Sequence, residues 1–585
     1  MTSGITKQKI AFLSLALLML LPFIGPYRYY SAVDFMNDML TMSCLTLLSI
    51  SAFIYCKKII IPNYFTVLVS CGLLLILATF FNSTYTQDRL NLTIWLIGAG
   101  LVSICVSSIK YQYSDNQNFG LKLATYLFFS VFSMALYSFL TFYAATFVAQ
   151  ITHIMVFYTG YLRMDGLLGQ PNLLAILLFL GICAGYYIVS DLNKKNYSYY
   201  LYLIMLWFIS YCLFATVSRV ALIALIGFMF YACSLAFMKR KYNNTVILFS
   251  LSIILGYLTY QLIHPYLIEY AIQQQWIPIT LEDGNDFAGV DYNRATNLDH
   301  KIGEIKRALY IYSQHPFVGV GFGRYSYYSQ QLTLADWPVY IVGFPYHSHN
   351  IVGQILAEFG TIGGMVLLTS IAMLAKLFIK SYRSKAHLFL FGVLTIYGLN
   401  ALFEFALWNF NFAILFFALF AGFSNDKAIK ISLLKTPLLK IVYSIFFAGF
   451  IIILLSRWTI MNTLNTIFST PENVVFAQSM KDDRLMGLDF SNMYLSGIKF
   501  ADATDKEYER EVEKIKKWRP SDMVYYRKVQ LDIGNNDTQN ITINIQNALK
   551  LGATTEMITE LMAKDCQSNN QACQLGMAYI NKVSQ

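Results

Sequence analysis

The chain has 585 residues, 56% of them hydrophobic and 13% charged, with a formal net charge of +10. That charged share is about half of what a soluble domain carries, and apolar runs of roughly 17 to 25 residues, the length that crosses a hydrocarbon core, recur through the first three quarters. A soluble globular fold is excluded, and the basic excess reads first as an orientation signal in short loops rather than as a nucleic-acid surface.

In chain order, "IAFLSLALLMLLPFIGPYRYY" follows Lys7 and Lys9 like a signal peptide but lacks a small-x-small cleavage site, so it reads as an uncleaved first helix. Hydropathy places about thirteen spans, near 8–26, 36–56, 63–81, 92–109, 121–148, 172–190, 198–215, 219–238, 245–263, 349–379, 387–406, 408–424 and 438–458. Alternate loops are rich in base: Lys7/Lys9, Lys57/Lys58, Lys110/Lys122, Lys194/Lys195, Lys239/Arg240/Lys241, Lys380/Arg383/Lys385 and Lys427/Lys430/Lys435. The opposite short loops carry Arg28, Arg89, Arg163 and Arg219. The positive-inside rule then puts the N-terminus in the cytoplasm, and segments 264–348 and 459–585 outside. In a bacterial inner membrane, outside means the periplasm.

The expected fold is therefore all-α: a polytopic helical membrane protein of 12 to 14 spans, about 13 by this count. Its expected parts are an N-terminal transmembrane bundle (1–263), a large outer loop (264–348), late transmembrane helices (349–458) and a small helical outer domain (459–585). In the loop, Ile302, Ile305, Leu309 and Tyr312 have the spacing of an amphipathic helix, which "HPFVGVGFG" then breaks. "DKEYEREVEKIKKW" and "TEMITELMAKD" predict helices in the tail, as in a helix-hairpin array. Seven of nine cysteines lie in or beside spans, as small apolar residues do. Cys566 and Cys573 lie in the outer tail, where a disulfide would persist; bridge and free thiols are both open.

The stretch "GFPYHSHNIVGQILAEFGTIGG" starts an apolar helix with two histidines. Gly353, Ala357, Gly360 and Gly364 fall on one small-residue face that suits close helix packing. For the histidines, interfacial anchoring, helix capping and acid–base chemistry are all open, the last because imidazole titrates near neutrality. Zinc is a poor fit, with no third histidine or cysteine near and Glu358 more than two turns along; no metal is expected.

His349-Asn350, nine residues, then Gly360-Thr-Ile-Gly363 resembles the His-[Asn/Ser/Gln]-x9-Gly-x-x-Gly pattern of the bacterial O-antigen ligase superfamily. "RMDGLLGQPNLLAILL" at 163–178 resembles the Gly-Gln-Pro-Asn signature of its protein O-oligosaccharyltransferases, the pilin glycosylation ligases. "PFVGVGFGRYS" at 316–326 is similar to their Pro-x-x-Gly-x-Gly element, and the long outer tail is also similar. The resemblance implies transfer of a preassembled glycan from undecaprenyl diphosphate to a hydroxyl, without nucleotide, metal or other cofactor. It implies catalysis by His349 with Asn350 at the substrate, and leaves His347, which is off the pattern, as an anchor.

Such a reaction needs cations for the diphosphate and a base for the hydroxyl. Arg219, at the outer start of a span, is the first cation candidate, since an arginine there is costly unless paired or functional. The superfamily's Arg-x3-Leu element fits except that Ile223 replaces leucine. Where the resemblance expects a second arginine in an Arg-x3-Trp setting, this chain has Lys301 and Ile305; Arg307 or Arg324 are alternative second cations. Glu404 and Glu358 read either as partners of an imidazole or arginine, or as helix-packing residues. Gln170 and Asn172 read as turn residues or as contacts to an incoming acceptor. The reading is thus an inner-membrane glycosyltransferase acting on a periplasmic acceptor protein, with type IV pilin the familiar acceptor. The rivals are an O-antigen ligase acting on lipid A–core sugar, an O-antigen polymerase, and a lipid or polysaccharide transporter. Against transport, the polar residues gather at one membrane face, and no two-halved symmetry is visible.

Overall fold

The computed structural model describes residues 2–25, 35–113, 115–152, 163–192, 195–238, 244–276, 296–337, 347–382, 386–404, 406–424, 426–432, 451, 506–518, 520–566 and 570–583. Among these, nine helices are long and apolar enough to cross a membrane, and three more apolar helices are shorter. In a bilayer the backbone must satisfy its own hydrogen bonds, so runs of this composition close into helices. The chain is an all-α multi-pass membrane protein, as its hydropathy predicts. The thirteenth expected span, 438–458, falls outside the described residues except for position 451, as does the tail to 505.

The helices in order are α1 (Thr2–Leu20), α2 (Phe35–Tyr55), α3 (Asn63–Ala78), α4 (Thr86–Tyr113), α5 (Asn116–Tyr143), α6 (Ala145–Thr152), α7 (Pro171–Val189), α8 (Tyr197–Ala215), α9 (Arg219–Met238) and α10 (Asn244–Gln273). The loop contributes α11 (Thr296–Gln314) and α12 (Tyr325–Leu334). Then follow α13 (Ile351–Ser381), α14 (His387–Phe403), α15 (Phe410–Phe423) and the tail helices α16 (Lys506–Trp518), α17 (Asp522–Gly534), α18 (Ile541–Leu551), α19 (Thr555–Asp565) and α20 (Gln571–Val583). Among the described residues a single antiparallel pair, β1 (Lys58–Pro62) with β2 (Ala428–Ser432), ties the α2–α3 connection to the segment after α15. The bundle is centred on α7, whose spanning window is 89% buried and therefore walled by protein rather than lipid. It fits there because Gly181 has no side chain; a Cβ would lie 2.5 Å from Val131 Cγ1.

Two sequence expectations change in the loop and the helix that follows it. The amphipathic helix α11 forms, but Ile302 and Leu309 lie on its exposed face. Its inner face carries Glu304, Arg307, Ala308 and Ile311, since the polar members find partners inside. The glycines of α13 do not make one continuous packing face. Gly360 has φ +61°, ψ −149°, and the helix breaks there. The "PFVGVG" backbone docks along the break: Val320 N donates to Ala357 O (2.9 Å), Gly321 N to Glu358 O (2.9 Å), and Thr361 N to Pro316 O (2.8 Å). Backbone meets backbone at this seam, so a Cβ on Gly319 would sit 2.3 Å from the carbonyl carbon of Glu358, and one on Gly360 2.5 Å from that of Phe317. The two glycine motifs are halves of a single joint.

The tail helices have their own core, from Tyr525 and Val529 through Ile545 and Met562 to Ile580, against which Leu334 of the loop packs. Arg324 Nη1 donates to Lys517 O (2.8 Å), Trp518 Nε1 to Asp88 Oδ2 (3.2 Å), and Lys550 pairs with Asp336 (2.6 Å). Cys566 and Cys573 form a disulfide.

Candidate active site

The site is built where the ends of three helices meet a lysine from α11. Gly169, in the left-handed region at φ +51°, ends a short turn at Gly166–Leu168 and lets Gln170 take up the extended N-cap of α7. Pro171 occupies the first helical position, where a missing N–H costs nothing. Asn172 then donates from Nδ2 to Glu404 Oε1 at 2.9 Å. Glu404 caps the end of α14 in extended conformation and is 8% exposed. Its Oε1 also accepts from Lys301 Nζ at 2.8 Å, while Oε2 lies 3.5 Å from His349 Nδ1.

His349 has φ +50°, a backbone region that a histidine enters at a cost. The next residue explains what holds it. Asn350 caps α13 by accepting from Gly353 N (2.9 Å), and its Nδ2 donates to Leu402 O (3.0 Å), fastening the start of α13 to the end of α14. Ser348 is held from behind, its N donating to Gln354 Oε1 at 2.7 Å. The imidazole is left about a quarter exposed, with Nδ1 toward the carboxylate. It opens on a small pocket lined also by His347, Asn350, Gln354, Leu407 and Trp408. His347 meets Trp408 edge to face at 6.0 Å.

The sequence candidates separate into two groups. His349, Asn350, Asn172, Glu404 and Lys301 come together, with Gln170 beside Asn172 at the cap. Arg307 and Arg324 turn elsewhere. Arg307 is 1% exposed and donates to Ser329 O (2.9 Å) and Thr333 Oγ1 (2.6 Å). Arg324 is spent on the tail's carbonyls and stacks over Tyr327 at 4.2 Å. Both guanidiniums thus serve as ties within the layer formed by the loop and the tail, and Lys301 is the loop cation at the carboxylate. Arg219 is exposed at the first turn of α9, and among the described residues it makes no hydrogen bond or ion pair. It does not line the His349 pocket.

Three residues of the neighbourhood carried no sequence signal as site members. Glu304 is fully buried on α11, and the Tyr325 hydroxyl donates to its carboxylate. Burial pushes its pKa up to about 7, against the lowering effects of the Tyr325 bond and of the His349 and Arg307 charges. Trp408 lines the pocket beside His347. Arg163 reads as a lone loop charge, yet it is 9% exposed, with Nε on Thr216 O (2.8 Å) and Nη2 on both Val217 O (3.1 Å) and Asn172 Oδ1 (3.3 Å). Among the described residues no cluster of histidine, cysteine or acid is set to hold a metal.

Comparison with curated proteins gives no match. Residues 204–368, which include Arg219, Lys301 and His349, match the family model described as O-antigen ligase, so this part of the chain is similar to that family.

Proposed function

We propose that the protein transfers a preassembled oligosaccharide from undecaprenyl diphosphate to a serine or threonine of a periplasmic acceptor protein, type IV pilin being the model acceptor. The observation that carries the reading is the His349–Glu404 pair beside Lys301. A carboxylate at Nδ1 fixes the imidazole tautomer and leaves Nε2 to take a proton, the logic of a base oriented by a third group. The acceptor hydroxyl attacks the anomeric carbon, its proton passes to His349 Nε2, and the bond from that carbon to the diphosphate oxygen breaks. The leaving diphosphate gains negative charge, which Arg219, free of protein partners among the described residues, and Lys301 are available to meet. General-base assistance of this kind is worth ~10²–10⁴ in rate.

The protein acceptor is supported by the Gly-Gln-Pro-Asn stretch meeting Glu404 and by the tail helices docked on the loop. The Cys566–Cys573 bridge supports a periplasmic placement of that layer, because disulfides persist in oxidising compartments. The rival reading, ligation of O-antigen onto lipid A–core sugar or its polymerisation, is favoured by the family description itself. Intact mass spectrometry of pilin from cells with and without the gene separates them. A mass difference of one whole oligosaccharide is expected; unchanged pilin with an altered lipopolysaccharide ladder selects the rival.

A further inference from the structure

Val217 lies in the left-handed region at φ +51°, an unfavourable place for a β-branched residue, two positions before Arg219. One guanidinium spans this strained turn. Arg163 Nε holds Thr216 O and Nη2 holds Val217 O, while Met164 N donates to Ala215 O alongside. The same Nη2 reaches Asn172 Oδ1, and Asn172 passes the contact to Glu404, which faces His349. Hydrogen bonds thus run from the turn before α9 to Glu404, whose carboxylate lies 3.5 Å from His349 Nδ1, through residues from four parts of the chain. We infer that Arg163 is a positioning residue for the proposed transfer, holding the turn that aims Arg219 and, through Asn172, the carboxylate that orients His349.

The inference rests on the transfer reading above and adds a residue to it. Arginine is needed for geometry as well as charge: its rigid fork serves two carbonyls and an amide oxygen at once, whereas lysine offers a single compact ammonium. The two branches of the run make different predictions. Loosening the Val217 turn misplaces the diphosphate cation and acts on donor binding; cutting the Asn172 link disturbs the base and acts on turnover.

The test measures steady-state kinetics of the full-length protein in lipid nanodiscs, with an undecaprenyl diphosphate-linked oligosaccharide donor and a purified pilin acceptor. Arg163→Lys is expected to raise the donor KM about tenfold with a smaller fall in kcat, and Asn172→Ala to lower kcat about tenfold with the donor KM within about twofold. The double variant should lose less than the product of the two, since the residues share one network. An active wild type with an indifferent Arg163→Lys overturns the inference alone. So do two variants that lose KM and kcat in the same proportion while melting earlier, which is the mark of packing. A wild type inert toward this donor removes the transfer reading and the inference with it.

Discussion

His349 pays for its place. A φ of +50° costs a non-glycine residue about 1 kcal/mol or more, and asparagine is the side chain that tolerates it best. His349→Asn therefore keeps the backbone and removes the base. It should accumulate in the membrane like the wild type while transfer falls at least ~10²-fold, read as glycosylated acceptor by mass; normal glycosylation would take His349 out of the mechanism. Glu304, fully buried behind the site, gives a second test. Its pKa is about 7 in the folded protein against 4.5 ordinarily, so between these values the folded chain binds more protons than the unfolded one. Its contribution to stability is full below pH ~4.5, declines as pH rises, and levels off above about pH 7. Glu304→Gln should flatten this slope in thermal midpoints measured from pH 5 to 8, and an unchanged slope would assign it to other groups. The histidine and its asparagine stood out in sequence through the resemblance that their contiguous motif carries. Glu304 was not, because a glutamate on an amphipathic helix reads as solvated.

At the scale of elements, the joint between the loop and α13 accounts for both glycine motifs. The conformation of Gly360 belongs to a region open essentially to glycine, and a Cβ there would press on the backbone of Phe317 at 2.5 Å, where nothing can yield cheaply. Gly360→Ala should cost about 3 kcal/mol or more, seen as a lowered melting midpoint and loss of transfer. Gly398 provides the control. It sits in α14 with open space around its Cβ position, so Gly398→Ala should be neutral or stabilise by up to ~1 kcal/mol. Equal effects at the two positions would discard the joint. The sequence spacing of Gly353, Ala357, Gly360 and Gly364 suits an unbroken helix equally well. The docked 316–321 backbone is what breaks it.

For the whole molecule, the layer of loop and tail helices is one assembly: the loop seats on α13, Arg324 clasps the end of α16, and Trp518 reaches Asp88 at the head of α4. The candidate site and the disulfide belong to this layer, so locating one locates the other. In intact spheroplasts, Cys566 and Cys573 should react with a membrane-impermeant maleimide only after reduction. Labelling only after lysis would put the layer in the cytosol and end the proposed chemistry. Replacing both by serine should cost the tail about 2.5 kcal/mol, since the closed loop is short, and this would appear as earlier proteolysis of α17–α20.

Sequence alone determined the class and the grain of this protein. Hydrophobic run length is a local property that the bilayer reads directly, so the all-α, multi-pass fold followed from it. The His-Asn and Gly-Gln-Pro-Asn stretches stood out for the same reason, each being short and contiguous. Which residues meet was decided only by the packed structure. Asn172 and Glu404 are 232 positions apart, and Lys301 and Glu404 103. Those pairs exist because the ends of α7, α13 and α14 converge with α11, a convergence that no periodicity encodes. Burial did the rest, turning Arg163 from a loop charge into a brace and committing Arg307 and Arg324 to carbonyls, since a charge taken out of water is costly unless hydrogen-bonded.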